Sequence, residues 1–176
     1  MDKQISLKTS FAEVFLSSDW SSSVADHRKE IRLELYKKSR DAKVLDLNQV
    51  PQFDDFFVSI SHCKSLGGYA LNLKEPIGFD VEQRERISLK SIERISSEQE
   101  RGLADEDFQK LLWPIKEATF KRFQGEVGLI TEAEVKSVKS IAHQTYEGLI
   151  KVREQSLKFL AGPVGKDCVF ALVKSQ

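Results

Sequence analysis

Long apolar runs, low-complexity tracts and short-period repeats are all absent from this sequence. No stretch approaches the ~20 consecutive apolar residues of a membrane-spanning helix, and Met1 to Phe15 holds no continuous apolar segment of the leader-peptide kind. A cytoplasmic protein that makes no use of a membrane is therefore expected. An excess of charge of one sign is also missing, since 27 Lys and Arg balance 27 Asp and Glu. General nucleic-acid binders carry a basic excess, so no nucleic-acid partner is expected and any anion site has to be local. Cysteine is scarce. Cys63 and Cys168 stand far apart in no ligand-like spacing, which argues for free thiols in a reducing compartment over a disulfide or half a zinc site.

What is present is the composition of a folded globular protein, 40% hydrophobic and 31% charged over 176 positions. That length holds one domain with a real core, or two small similar halves sharing one. Ile5 to Phe15 has room for one strand, and the polar run Ser17 to Ser23 is turn-like and offers several helix caps. Val24 to Leu47 is densely charged with Ile31, Leu35 and Tyr36 on one face, which predicts an amphipathic helix that breaks before Val50-Pro51. Phe56 to His62, Tyr69 to Leu73 and Ile77 to Glu82 predict three strands joined by short turns, an antiparallel meander. Two short helices follow, over Ser88 to Arg94 and from Ser96-Ser97, the latter with glutamates in its first turn. Asp105 to Phe123 is the strongest helical stretch, and Pro114 predicts either a kink in it or, the preferred reading, one helix ending at Trp113 and a second starting with proline in its first turn. Beyond Gly125, Val135 to Ala142, Tyr146 to Arg153, Ser156 to Ala161 and Val169 to Val173 are β-prone, the first of them equally compatible with a helix, with breaks that include Gly162-Pro163.

Two segments carry most of the polar chemistry. In Ile77-Gly78-Phe79-Asp80-Val81-Glu82 the alternation puts Gly78, Asp80 and Glu82 on one strand face. Paired carboxylates at that spacing suit magnesium, which takes oxygen from one or two carboxylates plus phosphate and water, and Gly78 leaves room for a ligand near the backbone. An ordinary exposed strand face shows the same alternation. In Trp113 to Lys121, the residues Trp113, Glu117 and Lys121 share a helical stripe with Lys116 beside it. Glu117 and Lys121 are also spaced for a plain surface ion pair, but Trp113 and Phe120 alongside argue for a partly buried carboxylate held between lysines by an anionic ligand and its metal. His62 follows Phe56, Val58 and Ile60 on an apolar strand face, where a lone histidine is usually a core residue, yet at the strand end it can turn out to a phosphate. Neither His27 nor His143 has a comparable setting. The charged helix from Val24 is mostly a solvated face, from which one or two arginines near its start can reach a phosphate.

Taken together, Ser59-Ile60-Ser61-His62, Ile77 to Glu82, and Trp113-Pro114-Ile115-Lys116-Glu117-Ala118-Thr119-Phe120-Lys121, with Lys116 lying 36 positions after Asp80, resemble the 4'-phosphopantetheinyl transferases. The family pattern is a Ser-x-Ser-His segment, a hydrophobic-Gly-hydrophobic-Asp-x-Glu strand and, roughly 35 to 45 residues later, Trp-x-x-Lys-Glu-x-x-x-Lys. Pro114 departs from it, standing where the family usually has a small residue. The resemblance covers residues 56 to 125, and the long portion ahead of the Gly-x-Asp strand is similar to the surfactin-type subclass, most of whose members are longer.

That resemblance implies an α+β fold, a pseudo-dimer of two similar halves, each a small antiparallel sheet packed with a long helix. Residues 1–75 would form the N-terminal half and 76–176 the C-terminal half carrying the metal site, in one monomeric unit. The implied reaction transfers 4'-phosphopantetheine from coenzyme A to a serine of an acyl or peptidyl carrier protein, releasing 3',5'-ADP, as in fatty acid biosynthesis. Asp80, Glu82 and Glu117 would hold Mg2+, Lys121 would bind the pyrophosphate with Lys116 in support, and Glu117 would deprotonate the serine. Ser61 and His62 would meet a coenzyme A phosphate, and Arg28 the nucleotide. The same residue types also suit a magnesium-dependent nucleotide pyrophosphatase acting on coenzyme A, or a catalytically silent module that binds coenzyme A or a carrier protein.

Overall fold

Nine strands in two antiparallel sheets, with helices on the outer faces, make up the described part of this computed structural model, residues 4–18, 24–48, 51, 53–124 and 130–176. The first sheet has the order β1-β2-β4-β3, built from β1 (Gln4–Lys8), β2 (Glu13–Ser17), β3 (Phe57–His62) and β4 (Gly67–Asn72). The second has the order β5-β9-β8-β7-β6, built from β5 (Gly78–Gln83), β6 (Ala133–Ala142), β7 (Thr145–Val152), β8 (Gln155–Val164) and β9 (Cys168–Ser175). Four helices complete the described fold: α1 (Val24–Ser39), α2 (Leu89–Ile95), α3 (Glu98–Arg101) and α4 (Glu106–Arg122).

Period-two alternation assigns each strand face to a different core. On β2 and β4, Phe15, Tyr69 and Leu71 turn outward to Ile31 and Leu35 of α1, while Val14, Leu16 and Ala70 turn inward. On β5 and β9, Phe79, Val81, Phe170 and Leu172 meet that inward face, so the two sheets pack on each other. The opposite face of the second sheet, with Phe159, Ala161, Val169, Ala171 and Val173, is covered by Phe108, Leu111, Leu112, Ile115 and Ala118 of α4. The layers are thus helix, sheet, sheet, helix. In the first sheet β2 is followed by α1, β3 and β4, with β4 beside β2; in the second β5 is followed by α2, α3, α4 and the strands β6 to β9, with β9 beside β5 and β8 beside β9, all antiparallel. The first sheet draws only on residues before 75 and the second only on residues after 76.

Several expectations are corrected. The meander does not form, because β5 leaves the first sheet after the turn and pairs with β9. Ile5 to Phe15 is a hairpin of two strands, turned where the Thr9 hydroxyl accepts from the N–H groups of Phe11 and Ala12. The first helix ends at Ser39, where Arg40 adopts a left-handed φ of 58°, and Asp41 caps a separate 3-10 turn over Ala42–Leu45. The helix α4 runs unbroken through Pro114. Proline there costs one backbone hydrogen bond, about 3 kcal/mol, but Leu111, Leu112, Ile115 and Ala118 on both sides are fully or almost fully buried, and that burial outweighs it. Gly162 and Pro163 lie within β8 rather than at a break, which is tolerable because β7 pairs with β8 only as far as Ala161, leaving no second neighbour for the missing N–H. The cap residues expected over 19–23, and the positions at Val50 and Gly125, lie outside the described residues.

Beneath α4, Glu100 joins three elements. Ser97 and Glu100 form a capping box on α3, with Glu100 Oε2 accepting from Ser97 N–H at 2.8 Å. Its other oxygen accepts from Val135 N–H of β6 at 2.9 Å and pairs with Lys116 Nζ of α4 at 2.8 Å, both partners of that ion pair being almost wholly buried. Removing one member of such a pair leaves an uncompensated charge and costs roughly 3–5 kcal/mol. Lys116→Met should therefore lower unfolding stability by about that much in urea titration. Adding Glu100→Gln should recover a large part of the loss; a Lys116→Met variant as stable as the wild type would show that the pair holds nothing.

Candidate active site

The free edge of β5 is closed by side chains instead of a strand. Ser59 and Ser61, two apart on β3, face β5, and their hydroxyls accept from the N–H groups of Phe79 at 3.0 Å and Val81 at 3.2 Å. The serines repeat at the same interval as the amides, so the two edge strands lie alongside one another and the two sheets share a joint. Ser61 does more than close the edge. Its hydroxyl donates to Asp80 Oδ1 at 2.8 Å and accepts from Lys121 Nζ at 2.8 Å as well as from Val81. One donor and two acceptors exhaust a hydroxyl, so Ser61 positions its neighbours and keeps no capacity for a ligand.

Lys121 reaches this point from the last turn of α4, also donating to Asp80 Oδ1 at 2.7 Å. The helix can come this close because of Gly78: a Cβ there would lie 1.8 Å from the Ala118 carbonyl oxygen. The expectation that Gly78 makes way for a ligand is corrected, since helix backbone fills the space. Asp80 is buried, Glu117 and Glu82 are half-buried, and all three line one cavity of ≈ 830 Å³ together with Lys121, Arg28 and His62. Glu82 also accepts from the N–H of Gln83 and sits 3.5 Å from Arg86. Burial, and then the charge of Asp80, push the Glu117 carboxyl up, with Lys121 opposing and Glu82 adding to the rise. Among the described residues no three of His, Cys, Asp and Glu are gathered tightly enough to form a ready cation cage.

His62 stands at the end of β3 on the cavity wall, with its Nδ1 buried and without a protein partner among the described residues. Burial lowers its pKa, and the positive charges of His27, Lys121 and Arg28 lower it further against Asp80. His27 is buried on α1 with its ring edge-on to His62, centroids 6.0 Å apart, and does not itself line the cavity. Arg28, next to it, lines the cavity from an exposed position and donates to the Leu47 carbonyl at 3.0 Å. His143 is exposed in the β6–β7 turn. Lys116 is corrected outright, because it points away from the cavity into Glu100 and the Ile95 carbonyl and has no access to a phosphate there.

Sequence reasoning also passed over the apolar wall. Phe53 and Phe56, stacked with centroids 4.1 Å apart, line the cavity, as do Trp113 and Phe120. Arg32 and Arg122 line it too; Arg32 donates to the carbonyls of Val44 and Asp46, both at 2.7 Å, and Arg122 to Ser175 at 3.1 Å. Aromatic richness over 53–57 was the available signal, but it served equally well as a strand signature. A concave site with apolar walls and a few convergent polar groups is the usual form of a small-molecule site, and this one falls in the usual size range. Neither a family model nor a curated protein sequence matches the chain.

Ser61→Ala should cost roughly 1–3 kcal/mol, because it strands the Val81 amide and loosens Lys121 from Asp80. Urea denaturation of the variant checks this; stability equal to wild type would mean the hydroxyl does not hold the joint.

Proposed function

We propose that this cavity carries out 4'-phosphopantetheinyl transfer from coenzyme A to a serine of an acyl or peptidyl carrier protein, with release of 3',5'-ADP. The observation that carries the reading is the convergence of three motif segments on one ammonium group, Lys121 Nζ at 2.7 Å from Asp80 and 2.8 Å from Ser61, with Glu117 on the same cavity wall. A nucleotide-bearing substrate needs a cationic polar end and an apolar surface, and Lys121, Arg28 and His62 line this cavity together with the stacked rings of Phe53 and Phe56. The antiparallel return of β4 to β2 and of β9 to β5, one in each half, supports the surfactin-type pseudo-dimer, and with it a monomer.

In this reading Lys121 stabilises the charge that develops on the departing phosphate, and Ser61 and Asp80 hold it in place to do so. Glu117 takes the proton from the serine hydroxyl, a role for which its raised carboxyl is suited. His62 and Arg28 bind the phosphates of the nucleotide end. Asp80, Glu82 and Glu117 are not drawn together as a ready cage among the described residues, but they line one cavity, and burial and the charge of Asp80 leave Glu117 in want of positive charge, so these three would hold a divalent cation. When bound, Mg2+ would neutralise the pyrophosphate.

Mass spectrometry of apo carrier proteins incubated with coenzyme A and Mg2+ tests this directly. A mass gain equal to phosphopantetheine is expected, abolished by EDTA. Glu117→Gln, Asp80→Ala and Lys121→Ala should each lower the rate by on the order of 10²-fold or more. Glu117→Gln should do so at unchanged melting temperature, because among the described residues no hydrogen bond depends on that side chain. Release of 3',5'-ADP without a carrier protein would identify a pyrophosphatase instead. Near-normal transfer by any of the three variants would overturn the assigned roles.

A further inference from the structure

Cys63 and Cys168, 105 positions apart, place their sulfurs 3.6 Å from each other in the core between the sheets. Cys63 opens the turn between β3 and β4, and Cys168 is the first residue of β9, so each sulfur belongs to a different sheet. Both are buried, at 3% and 5% exposure, yet the exposed Ser65 lies directly over them, its hydroxyl oxygen 3.4 Å from Cys168 and 4.0 Å from Cys63. The pair is one side chain below the surface.

We propose that Cys63 and Cys168 form an oxidisable dithiol, which hydrogen peroxide converts to a disulfide stapling the β3–β4 turn of the first sheet to β9 of the second. The sulfurs must close by about 1.5 Å to reach bonding distance, within reach of side-chain torsion and small shifts of an exposed turn. Cys63 is the attacking sulfur. The S–H of Cys168 favours its thiolate most, burial opposes, and the N–H groups of Ser65 and Leu66 help, so its thiol lies below the ordinary range. Cys168 is pushed up by the hydrogen bond it gives to Cys63 and by burial, and it keeps its proton.

The chemistry balances without any other reagent. The Cys63 thiolate attacks one peroxide oxygen; the O–O bond breaks, leaving a sulfenic acid and a hydroxide that takes up the proton Cys63 had released. The Cys168 sulfur then attacks the sulfenic sulfur, the S–S bond forms as the S–O bond breaks, and the thiol proton leaves with that oxygen. Two thiols lose two electrons and two hydrogens, and one peroxide becomes two waters. Glutathione disulfide is too bulky to enter beneath Ser65, so a small oxidant is required.

The test uses the whole native protein. After treatment with hydrogen peroxide, intact mass should fall by two hydrogens, and peptide mapping without reductant should link Cys63 to Cys168. Both thiols should vanish from titration in denaturant and return with dithiothreitol. Because the crosslink spans more than a hundred residues, the melting temperature should rise by roughly 5–15 °C. Glutathione disulfide should give no adduct. In Cys168→Ser, dimedone should trap a sulfenic acid on Cys63, whereas Cys63→Ser should leave Cys168 unmodified. Thiols that stay titratable after excess peroxide, oxygen addition without the crosslink, crosslinks only between molecules, or a glutathione adduct would each overturn the proposal; wild-type mapping decides it even if a variant fails to fold.

Discussion

Two seryl hydroxyls on two backbone amides hold the architecture at its weakest line. A sheet edge inside a protein must satisfy its outward N–H groups, and β5 offers two of them, from Phe79 and Val81, which no backbone ladder with β3 takes up. Ser59 and Ser61 supply acceptors at the same two-residue interval, so an edge that would repel a buried neighbour becomes a seam. Replacing the seam by a regular ladder would merge the sheets into one, and face-to-face packing of Phe79 and Val81 against Val14, Leu16 and Ala70 would be lost. The cavity with its polar cluster opens along this seam, and so the joint and the candidate chemistry share Ser61.

The helix α4 meets the seam under tight constraint. Its first turn carries Glu106 and Asp107 and its last Lys121 and Arg122, the order the helix dipole favours. Its C-terminal third is pressed onto β5 at Gly78, where no other residue fits against the Ala118 carbonyl. That contact sets how far along β5 the helix lies, and hence that Lys121, one turn beyond Ala118, arrives at Asp80. Pro114 sits a turn before the contact without breaking the helix, which shows that packing on both sides overrides the local preference.

Much of the site was legible because it follows from local periodicity. The alternation in Ile77 to Glu82 put Asp80 and Glu82 on one face, and i, i+4 spacing put Glu117 beside Lys121; the cavity contains all four. The strands from Phe57 onward and the short capped helices were also visible in turn and cap residues. What could not be read were partnerships across the chain. Nothing local distinguishes a third meander strand from the first strand of a second sheet, since both alternate and both follow a turn. Nothing local brings Cys63 to Cys168 or His27 to His62, because each pair joins elements from opposite sides of a core. The hairpin in the first 17 residues was hidden for another reason: its turn is made by a threonine hydroxyl and not by glycine or proline.

The two lysines of α4 show how far helical geometry alone could have gone. Five residues separate Lys116 from Lys121, which at about 100° per residue turns them roughly 140° apart around the axis. They cannot serve one small site. Lys121, on the stripe with Trp113 and Glu117, reaches the cavity; Lys116 turns toward α2 and α3 and neutralises Glu100. Calling Lys116 a neighbour of the stripe overlooked that its ammonium would have to cross the helix to reach a phosphate. The motif Trp-x-x-Lys-Glu-x-x-x-Lys therefore divides physically into a half that builds the cavity wall and a half that fastens the wall to the rest of the second sheet. Both halves need charged residues, one because buried Asp80 is met there by Lys121 and the other because a buried carboxylate already holds an amide of β6. A lysine in a shared pattern is thus evidence for a role only once the direction of its side chain is known.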